Sequence, residues 1–239
     1  MFNIKKIKTM QFLAKNSIIF IFIFGLYACT KEPENTPVSV YCSIINEKLY
    51  SFSRLSDFEK TKFDELKKSR FLKYKNDFLE AAQTFDIEWE LLAAVAFQES
   101  QWNPKARSAT QVKGMMMLTL PTAASVGVTN RLDPIQSIYG GAQYISDLKS
   151  TTDYGTSSGD KIAFILASYN LGTTNIRNAI NAIDKKPIEV TWLDLERYLL
   201  NLKTSMDSEN YSRGQQTVDF VERVRDYYYL LLAQNCSDS

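Results

Sequence analysis

The chain has 239 residues, enough for one sizeable domain or two small ones, and its 45% hydrophobic and 23% charged residues are typical of a globular protein. The absence of histidine largely excludes serine-protease triads, papain-like sites and most zinc sites, and we expect neither a metal nor a cofactor. The formal net charge is +1, but beyond the four lysines of the first 28 residues 24 basic residues face 27 acidic ones, a charge of −3 that argues against nucleic-acid binding.

The amino terminus has the pattern of a bacterial export signal. Basic residues from Lys5 to Lys15 precede a run at positions 17–28 that is apolar almost throughout. The run is short for a membrane span of about 20 residues but has the length of a signal-peptide core. It ends in Leu26-Tyr27-Ala28-Cys29, which resembles a lipobox apart from the bulky Tyr27. We therefore predict a lipoprotein signal peptide over residues 1–28 and a lipid anchor on Cys29; an uncleaved anchor helix with an incidental cysteine is the alternative.

Residues 29–69 are predicted to connect the anchor to the folded domain. Residues 30–40 contain Pro33 and Pro37 and favour an extended tether. Residues 41–69 are charged and amphipathic, which predicts a helix packed outside the core.

Two further cysteines, Cys42 and Cys236, stand near opposite ends of the mature chain. An exported protein meets oxidising conditions, so the two thiols could form a disulfide. Such a bond would close nearly the whole domain, for which the loop-entropy model gives about 4–5 kcal/mol. Two unpaired thiols are an equally good interpretation of the sequence.

Helical periodicity dominates from residue 70 to the end, with no internal repeat and no convincing strand alternation. Seven helices are predicted, separated by loops such as the Ser/Thr/Gly-rich residues 151–159. Their signals are, in chain order, the apolar spacing from Phe71 to Phe85, a start near Glu88, Pro121 with a stop at Gly127, the cap Asp133 before Pro134, the cap Asp160 with a stop at Gly172, the pair Thr191 and Asp194, and the apolar face from Val221 to Leu232. The sequence therefore predicts an all-α domain.

One carboxylate continues an apolar helix face. In a helix that begins near Glu88, Leu92, Val95, Ala96 and Glu99 lie on the same side. Burial beside apolar groups raises a carboxyl pKa, and an acid with a raised pKa can protonate a glycosidic oxygen. A glutamate in a final turn that bends out to solvent fits the same pattern.

Two other segments could line a ligand groove. A glycine precedes three methionines at Gly114-Met115-Met116-Met117, where backbone can approach a ligand closely; ordinary core filling explains the methionines equally well. Tyr169 and Asn170 stand at a helix end, where they could stack on and hydrogen-bond a sugar, although such a pair is also common in C-terminal turns.

Together and in this order, the three segments resemble the lytic transglycosylases of the soluble-type, goose-lysozyme-like superfamily, glycoside hydrolase family 23. Gln98-Glu99-Ser100 with Trp102-Asn103-Pro104 matches the family's Glu-Ser motif and its sequel. Gly114-Met115-Met116-Met117 stands where most members have Gly-Leu-Met-Gln, and Ser168-Tyr169-Asn170 where they have Ala-Tyr-Asn. The methionine-rich variant, Gly140-Gly141, and Tyr211-Ser212-Arg213-Gly214 resemble the membrane-bound F type in particular. The resemblance covers about residues 70–234.

The resemblance implies a lysozyme-like catalytic domain over residues 70–239 with a glycan-binding groove. It makes Glu99 the catalytic acid and base. Met117 replaces the usual Gln, so one amide contact is absent, and Gln216 stands where the family often has a Glu. The F type also carries a solute-binding domain, which we expect to be missing here because only about forty residues separate Cys29 from the first core helix. The residues implied to bind the glycan or to support the acid are Ser108, Met116, Met117, Tyr169, Asn170 and Gln216.

The implied function is that of a peptidoglycan lytic transglycosylase, which cleaves between N-acetylmuramic acid and N-acetylglucosamine and leaves a 1,6-anhydro end. It would act on glycan strands in the bacterial cell envelope, with Cys29 anchoring it to the outer membrane on its periplasmic side; the sequence identifies no protein partner. Three alternatives stay open. The first is a goose-type hydrolase, which would differ in admitting water to C1. The second is a non-catalytic peptidoglycan-binding lipoprotein, which would have no need of Glu99 on an apolar face. The third is an assembly scaffold, which would explain the missing domain but none of the motifs.

Overall fold

The computed structural model describes residues 37–201 and 208–237. Ile44–Ser239 forms one compact unit, and the residues up to Ser43 fall into another. Ten α-helices lie in the described ranges, together with short 3-10 helices at Phe71–Lys73 and Pro187–Glu189. The α-helices are α1 (Pro37–Phe52), α2 (Asp57–Ser69), α3 (Lys75–Thr84), α4 (Trp89–Ser100), α5 (Leu120–Ser125), α6 (Pro134–Thr151), α7 (Ser158–Leu171), α8 (Thr173–Asn181), α9 (Trp192–Asn201) and α10 (Ser208–Ser237).

The long helix α10 is the centre of the packing. It lies against α4, α7 and α9, while α7 also packs on α6 and α8 and α3 packs on both α4 and α6. Within the described ranges β structure is restricted to isolated bridges that join Lys113 to Arg107 and to Leu118. The prediction of an all-α fold is confirmed.

Helix α2 contradicts the expectation that residues 41–69 pack outside the core. Phe63 is fully buried, and Leu66, three residues further on the same face, is nearly so. The Phe63 ring stacks on Tyr227 of α10 with the two centroids 5.5 Å apart, and it also contacts Trp102 at 5.2 Å. The charged face of this amphipathic helix is solvated while its aromatic face fills the core, so the compact domain begins before residue 70.

Most of the predicted helix boundaries are set by local signals that the structure retains. The Asp133 side chain accepts a hydrogen bond from the Gln136 amide and caps α6, and Gly172 ends α7 with a φ of +93°. The predicted cap Asp160 is wrong, because Ser157 is the N-cap of α7 and Asp160 is its third residue in a reciprocal capping box. Helix α8 was not predicted; it begins at Thr173, directly after the glycine that ends α7.

The predicted signal peptide, tether start and lipid-anchored Cys29 lie outside the described residues. Among the residues that are described, no helix combines the length and the apolar composition needed to cross a bilayer. Cys42 and Cys236 are each in the disulfide-bonded state, and their mutual pairing stays a prediction that peptide mapping can test.

Candidate active site at the end of helix α4

Helix α4 runs through the middle of the core and ends at the candidate acid. Every residue from Leu92 to Phe97 is buried, so apolar side chains surround the helix on all sides and do not form the single stripe expected from the sequence. The chain leaves the helix abruptly, because Gln101 and Trp102 both adopt left-handed backbone conformations with φ of 54° and 55°. Glu99 therefore lies in the last turn, where the helix emerges from the core.

The buried Trp102 holds this sharp exit in place. Its indole Nε1 donates a hydrogen bond to the Ala93 carbonyl at 2.8 Å. Its ring packs against Phe71 and Phe97 at centroid distances of 4.9 and 4.6 Å. A left-handed residue other than glycine costs on the order of 1–3 kcal/mol, and burial of the large indole offsets that strain. The geometry after Glu99 is thus imposed by tertiary packing.

Glu99 as a whole residue is half-buried, and its carboxyl group is largely withdrawn from solvent. Among the described residues, none donates a hydrogen bond to this carboxyl or forms an ion pair with it. Burial alone raises the pKa of Glu99 from 4.5 to about 8, because the charged form loses its hydration. The group is therefore mostly protonated at neutral pH and can act as a proton donor.

A tight turn formed by Gly114–Met117 lies beside the end of α4. Gly114 has a φ of +87°, and a Cβ at this position would lie 1.7 Å from the Arg131 carbonyl oxygen. Met117 donates its amide hydrogen to the Gly114 carbonyl at 3.2 Å and itself has a φ of +47°. Only glycine permits the close approach of the two backbones at the start of this turn.

Two carbonyl groups of the turn connect it to the helices around Glu99. The Ser100 hydroxyl of α4 donates to the Met115 carbonyl at 2.7 Å, and the Tyr169 hydroxyl of α7 donates to the Met116 carbonyl at 2.7 Å. The pKa of Tyr169 is raised well above 10, first by burial and then by the charge of Glu99. The phenol thus lies within electrostatic reach of the acid and remains neutral.

Three of the predicted glycan-binding residues lie in or before this turn. The Met116 side chain is fully buried and packs on Gly141, where a Cβ would lie 2.6 Å from it. Of the two predicted roles, lining the groove or supporting the acid, the buried Met116 side chain favours the second, and its carbonyl accepts the Tyr169 hydroxyl. Met117 is half-buried. Ser108 is half-buried as well, and its hydroxyl accepts the amide hydrogen of Thr110 at the start of the loop.

Asn170 and Gln216 are both exposed. The side chain that contacts the Asn170 amide is the buried Thr217 of α10, whose hydroxyl lies 3.0 Å from Asn170 Oδ1. Sequence reasoning gave no role to Thr217 or Ser100. Ser100 stands in the Glu-Ser motif and could have been singled out, whereas a threonine in the middle of a helix gives no local signal.

Comparisons with known proteins identify the same region. The model of the Transglycosylase SLT domain matches residues 76–191. Membrane-bound lytic murein transglycosylase F of Shewanella loihica is 40% identical over 194 residues, which are 79% of this chain and 40% of that protein. The corresponding protein of Photobacterium profundum is 42% identical over 169 residues, 69% of this chain and 31% of that protein.

Among solved structures, the 70 kDa soluble lytic transglycosylase of Escherichia coli matches with 20% identity and a TM-score of 0.49, over 84% of this chain and 31% of that one. The chain spans two fifths or less of the length of the two curated relatives named above. The family model and the identity to the F-type enzymes agree with the motifs around Glu99, the Gly114 turn and Tyr169. Residues 76–191 are thus similar to the transglycosylase SLT domain, and the chain is similar to the membrane-bound lytic murein transglycosylases F.

Proposed function

We propose that the chain is a peptidoglycan lytic transglycosylase with Glu99 as its single acid and base. It would cleave the β-1,4 bond between N-acetylmuramic acid and N-acetylglucosamine and leave a 1,6-anhydromuramic end. The observation that carries the proposal is the Glu99 carboxyl in the last turn of a core helix, where burial raises its pKa to about 8. The names of the relatives and the SLT domain support the same reaction class.

The first step is proton donation to the glycosidic oxygen. Glu99, protonated at neutral pH, gives its proton to the leaving oxygen while the C1–O bond of the muramic acid breaks. General acid catalysis of this kind is typically worth about 10²–10⁴ in rate. The substrate's own acetamido group can stabilise the positive charge at C1, which substitutes for a second carboxylate.

The second step closes a ring and restores the acid. Glu99, now a carboxylate, takes the proton of the C6 hydroxyl of the same sugar while that oxygen bonds to C1. The proton lost in the first step is thereby regained, and no water is consumed. Because the hydroxyl belongs to the reacting sugar, its proximity to C1 is an intramolecular advantage.

The candidate groove residues surround this centre in different ways. Tyr169 stays neutral near Glu99 because its pKa is raised well above 10. Its hydroxyl proton is directed at the Met116 carbonyl, so the phenol holds the turn and does not compete as an acid. The exposed amides Asn170 and Gln216, with Met117 and Ser108, are our candidates for contacting the sugar or shaping the groove.

Attachment to a membrane through Cys29 is part of the proposal. The lipobox-like ending of the apolar amino-terminal run supports it, and the relatives are named as membrane-bound. Cys29→Ala should leave the protein unlipidated and extractable without detergent. Full membrane retention of this variant with an uncleaved amino terminus would favour an anchor helix.

Product analysis tests the reaction. Purified sacculi are digested with the wild type, with Glu99→Gln, and with Glu65→Gln as a control at an exposed glutamate of α2. Wild type and control should release anhydro ends, one water lighter than reducing ends, and incorporate no label from heavy-oxygen water. Glu99→Gln should remain folded and release neither product. Labelled reducing ends would assign the protein to the hydrolases, and turnover by folded Glu99→Gln would refute the role of Glu99.

A further inference from the structure

We propose that Arg131 is a positioning residue for the Glu99 acid, acting through the Gly114–Met117 turn; this inference rests on the proposed function. Arg131 stands in the loop before α6 and was not singled out by any sequence motif. Its side chain bonds the two ends of the loop that contains the turn, and its backbone contacts Gly114 of the turn. The turn itself bonds Ser100, which follows the acid, and Tyr169, which lies within electrostatic reach of it.

The guanidinium group joins the two ends of the loop that contains the turn. Arg131 Nη1 donates to the Gln111 carbonyl and to the Leu118 carbonyl, each at 2.8 Å. Hydrogen bonds from a charged donor are stronger than neutral ones. The two bonds fix residues 111 and 118 to one point, so the segment between them cannot open without breaking at least one of them.

The backbone of Arg131 forms the floor under the turn. A Cβ added to Gly114 would lie only 1.7 Å from the Arg131 carbonyl oxygen, so the two backbones are in direct contact. Ser137, buried in the first turn of α6, accepts the Met116 amide hydrogen with its hydroxyl at 3.1 Å. The turn is thus held from the side of α6 by Arg131 and Ser137.

On its other side the same turn forms hydrogen bonds with two residues close to Glu99. Its Met115 carbonyl receives the Ser100 hydroxyl and its Met116 carbonyl receives the Tyr169 hydroxyl. A displaced turn would therefore move the residue after Glu99 and the phenol next to it. It would also admit water to a carboxyl whose protonation depends on being desolvated. A misplacement of about 1 Å can lower turnover by about 10²-fold.

The pKa of Glu99 can serve as the measure of a displaced turn, because the other ionisable groups near α4 are not expected to titrate in the same pH range. From α7 and α6, Tyr169 and Tyr144 face the site, and both have pKa values raised above 10, chiefly by burial. From α10 and α2, Arg223 and Glu59 form an ion pair of 2.5 Å. Arg223 also donates to Gln98 Oε1, the side chain preceding Glu99. Between pH 5 and 9 the carboxyl is the member of this set that we expect to titrate.

The experiment compares Arg131→Met and Arg131→Lys with the wild type. Arg177→Met, at an exposed arginine of α8, is the matched control. The Glu99 carboxyl is titrated by carbon-13 NMR of labelled protein, and kcat, KM and the pH profile are measured on isolated glycan strands. Arg131→Met should lower the pKa of Glu99 by at least one pH unit, move the alkaline limb of kcat by the same amount, and lower kcat by about 10²-fold with a few-fold change in KM. Arg131→Lys should be intermediate, and Arg177→Met should match the wild type.

An unchanged Glu99 titration in folded Arg131→Met, with kcat reduced only in proportion to the folded fraction, would overturn the inference. If Arg131→Met does not fold, Arg131→Lys decides by the same criterion. The titration requires no turnover, so the role of Arg131 is tested even if the wild type releases no anhydro product. That outcome would refute the proposed function separately.

Discussion

Replacing Glu99 by glutamine should stabilise the protein at neutral pH and leave its stability unchanged in acid. The two side chains are nearly the same size, and neither the amide nor the protonated carboxyl carries a charge. The folded carboxyl has a pKa of about 8 against an ordinary 4.5. The folded state therefore binds a proton that the unfolded state releases, and stability falls as the pH rises from 4.5 towards 8.

The expected size of the effect follows from the two pKa values. At pH 7 the unfolded glutamate is almost fully ionised, whereas the folded one must stay mostly protonated. A tenfold change in proton affinity corresponds to about 1.4 kcal/mol, so the wild type carries a penalty of about 3 kcal/mol at pH 7. Glu99→Gln is free of this penalty. For a domain of this size, about 3 kcal/mol raises the melting temperature by about 6–12 °C.

The assay is urea denaturation of both proteins at pH 4 and pH 7, supported by thermal melts. Glu99→Gln should be more stable than the wild type by about 3 kcal/mol at pH 7 and by less than about 0.5 kcal/mol at pH 4. Glu65→Gln, at an exposed position, should show no comparable pH-dependent gain. An equal difference at both pH values, or a less stable Glu99→Gln at pH 7, would show that the carboxyl is not desolvated in the folded protein.

Three further predictions concern groups around the acid and the cysteines. Tyr169→Phe removes the hydroxyl that bonds the Met116 carbonyl. It should lower kcat by more than tenfold while reducing the free energy of unfolding by only about 1–3 kcal/mol. A loss of kcat that merely follows the loss of folded protein, measured by thermal melts, would show that the tyrosine is structural. Gly114→Ala should destabilise the protein by about 3 kcal/mol or more, because the new Cβ would meet backbone at 1.7 Å. Gly127→Ala, with a similar positive φ but open space around it, should destabilise it by about 1 kcal/mol. Similar melting temperatures for the two variants would argue against the close approach of the backbones at Gly114. Peptide mapping without reductant should recover Cys42 linked to Cys236, and free alkylation of both thiols in protein from its native compartment would exclude the bond.

The helices that the sequence predicts well are those whose signals are local. Asp133 followed by Pro134 is a cap and first-turn pair within two residues, and the structure uses both. Helix α8 has no such signal, since Gly172 ends one helix and the next begins at Thr173. The core position of α2 was missed for a different reason: Phe63 stacks on Tyr227, far away in sequence, and an amphipathic helix does not reveal which surface its apolar face will cover.

The candidate site shows the same division. Glu99, Tyr169 and the Gly114 turn stand in short motifs, so their residue types and order point to a common site. The partners that fix their geometry do not. Ser137 of α6 and Arg131 in the loop before α6 contact the turn only because this part of the chain folds against it, and no pattern of spacing in the sequence encodes such a contact.

A single carboxyl can serve both steps of the proposed reaction because of where its pKa lies. With a pKa of about 8, most Glu99 side chains carry the proton at pH 7, so the proposed acid is in the form that can donate it. After donation the resulting carboxylate is a much stronger base than an ordinary glutamate, which favours removal of the C6 hydroxyl proton. An unperturbed carboxyl would be protonated in fewer than about one molecule in a hundred at pH 7 and would also be the weaker base. Burial at the end of α4 would thus improve both halves of the proposed cycle, which would need no second carboxylate to return the proton that Glu99 gives.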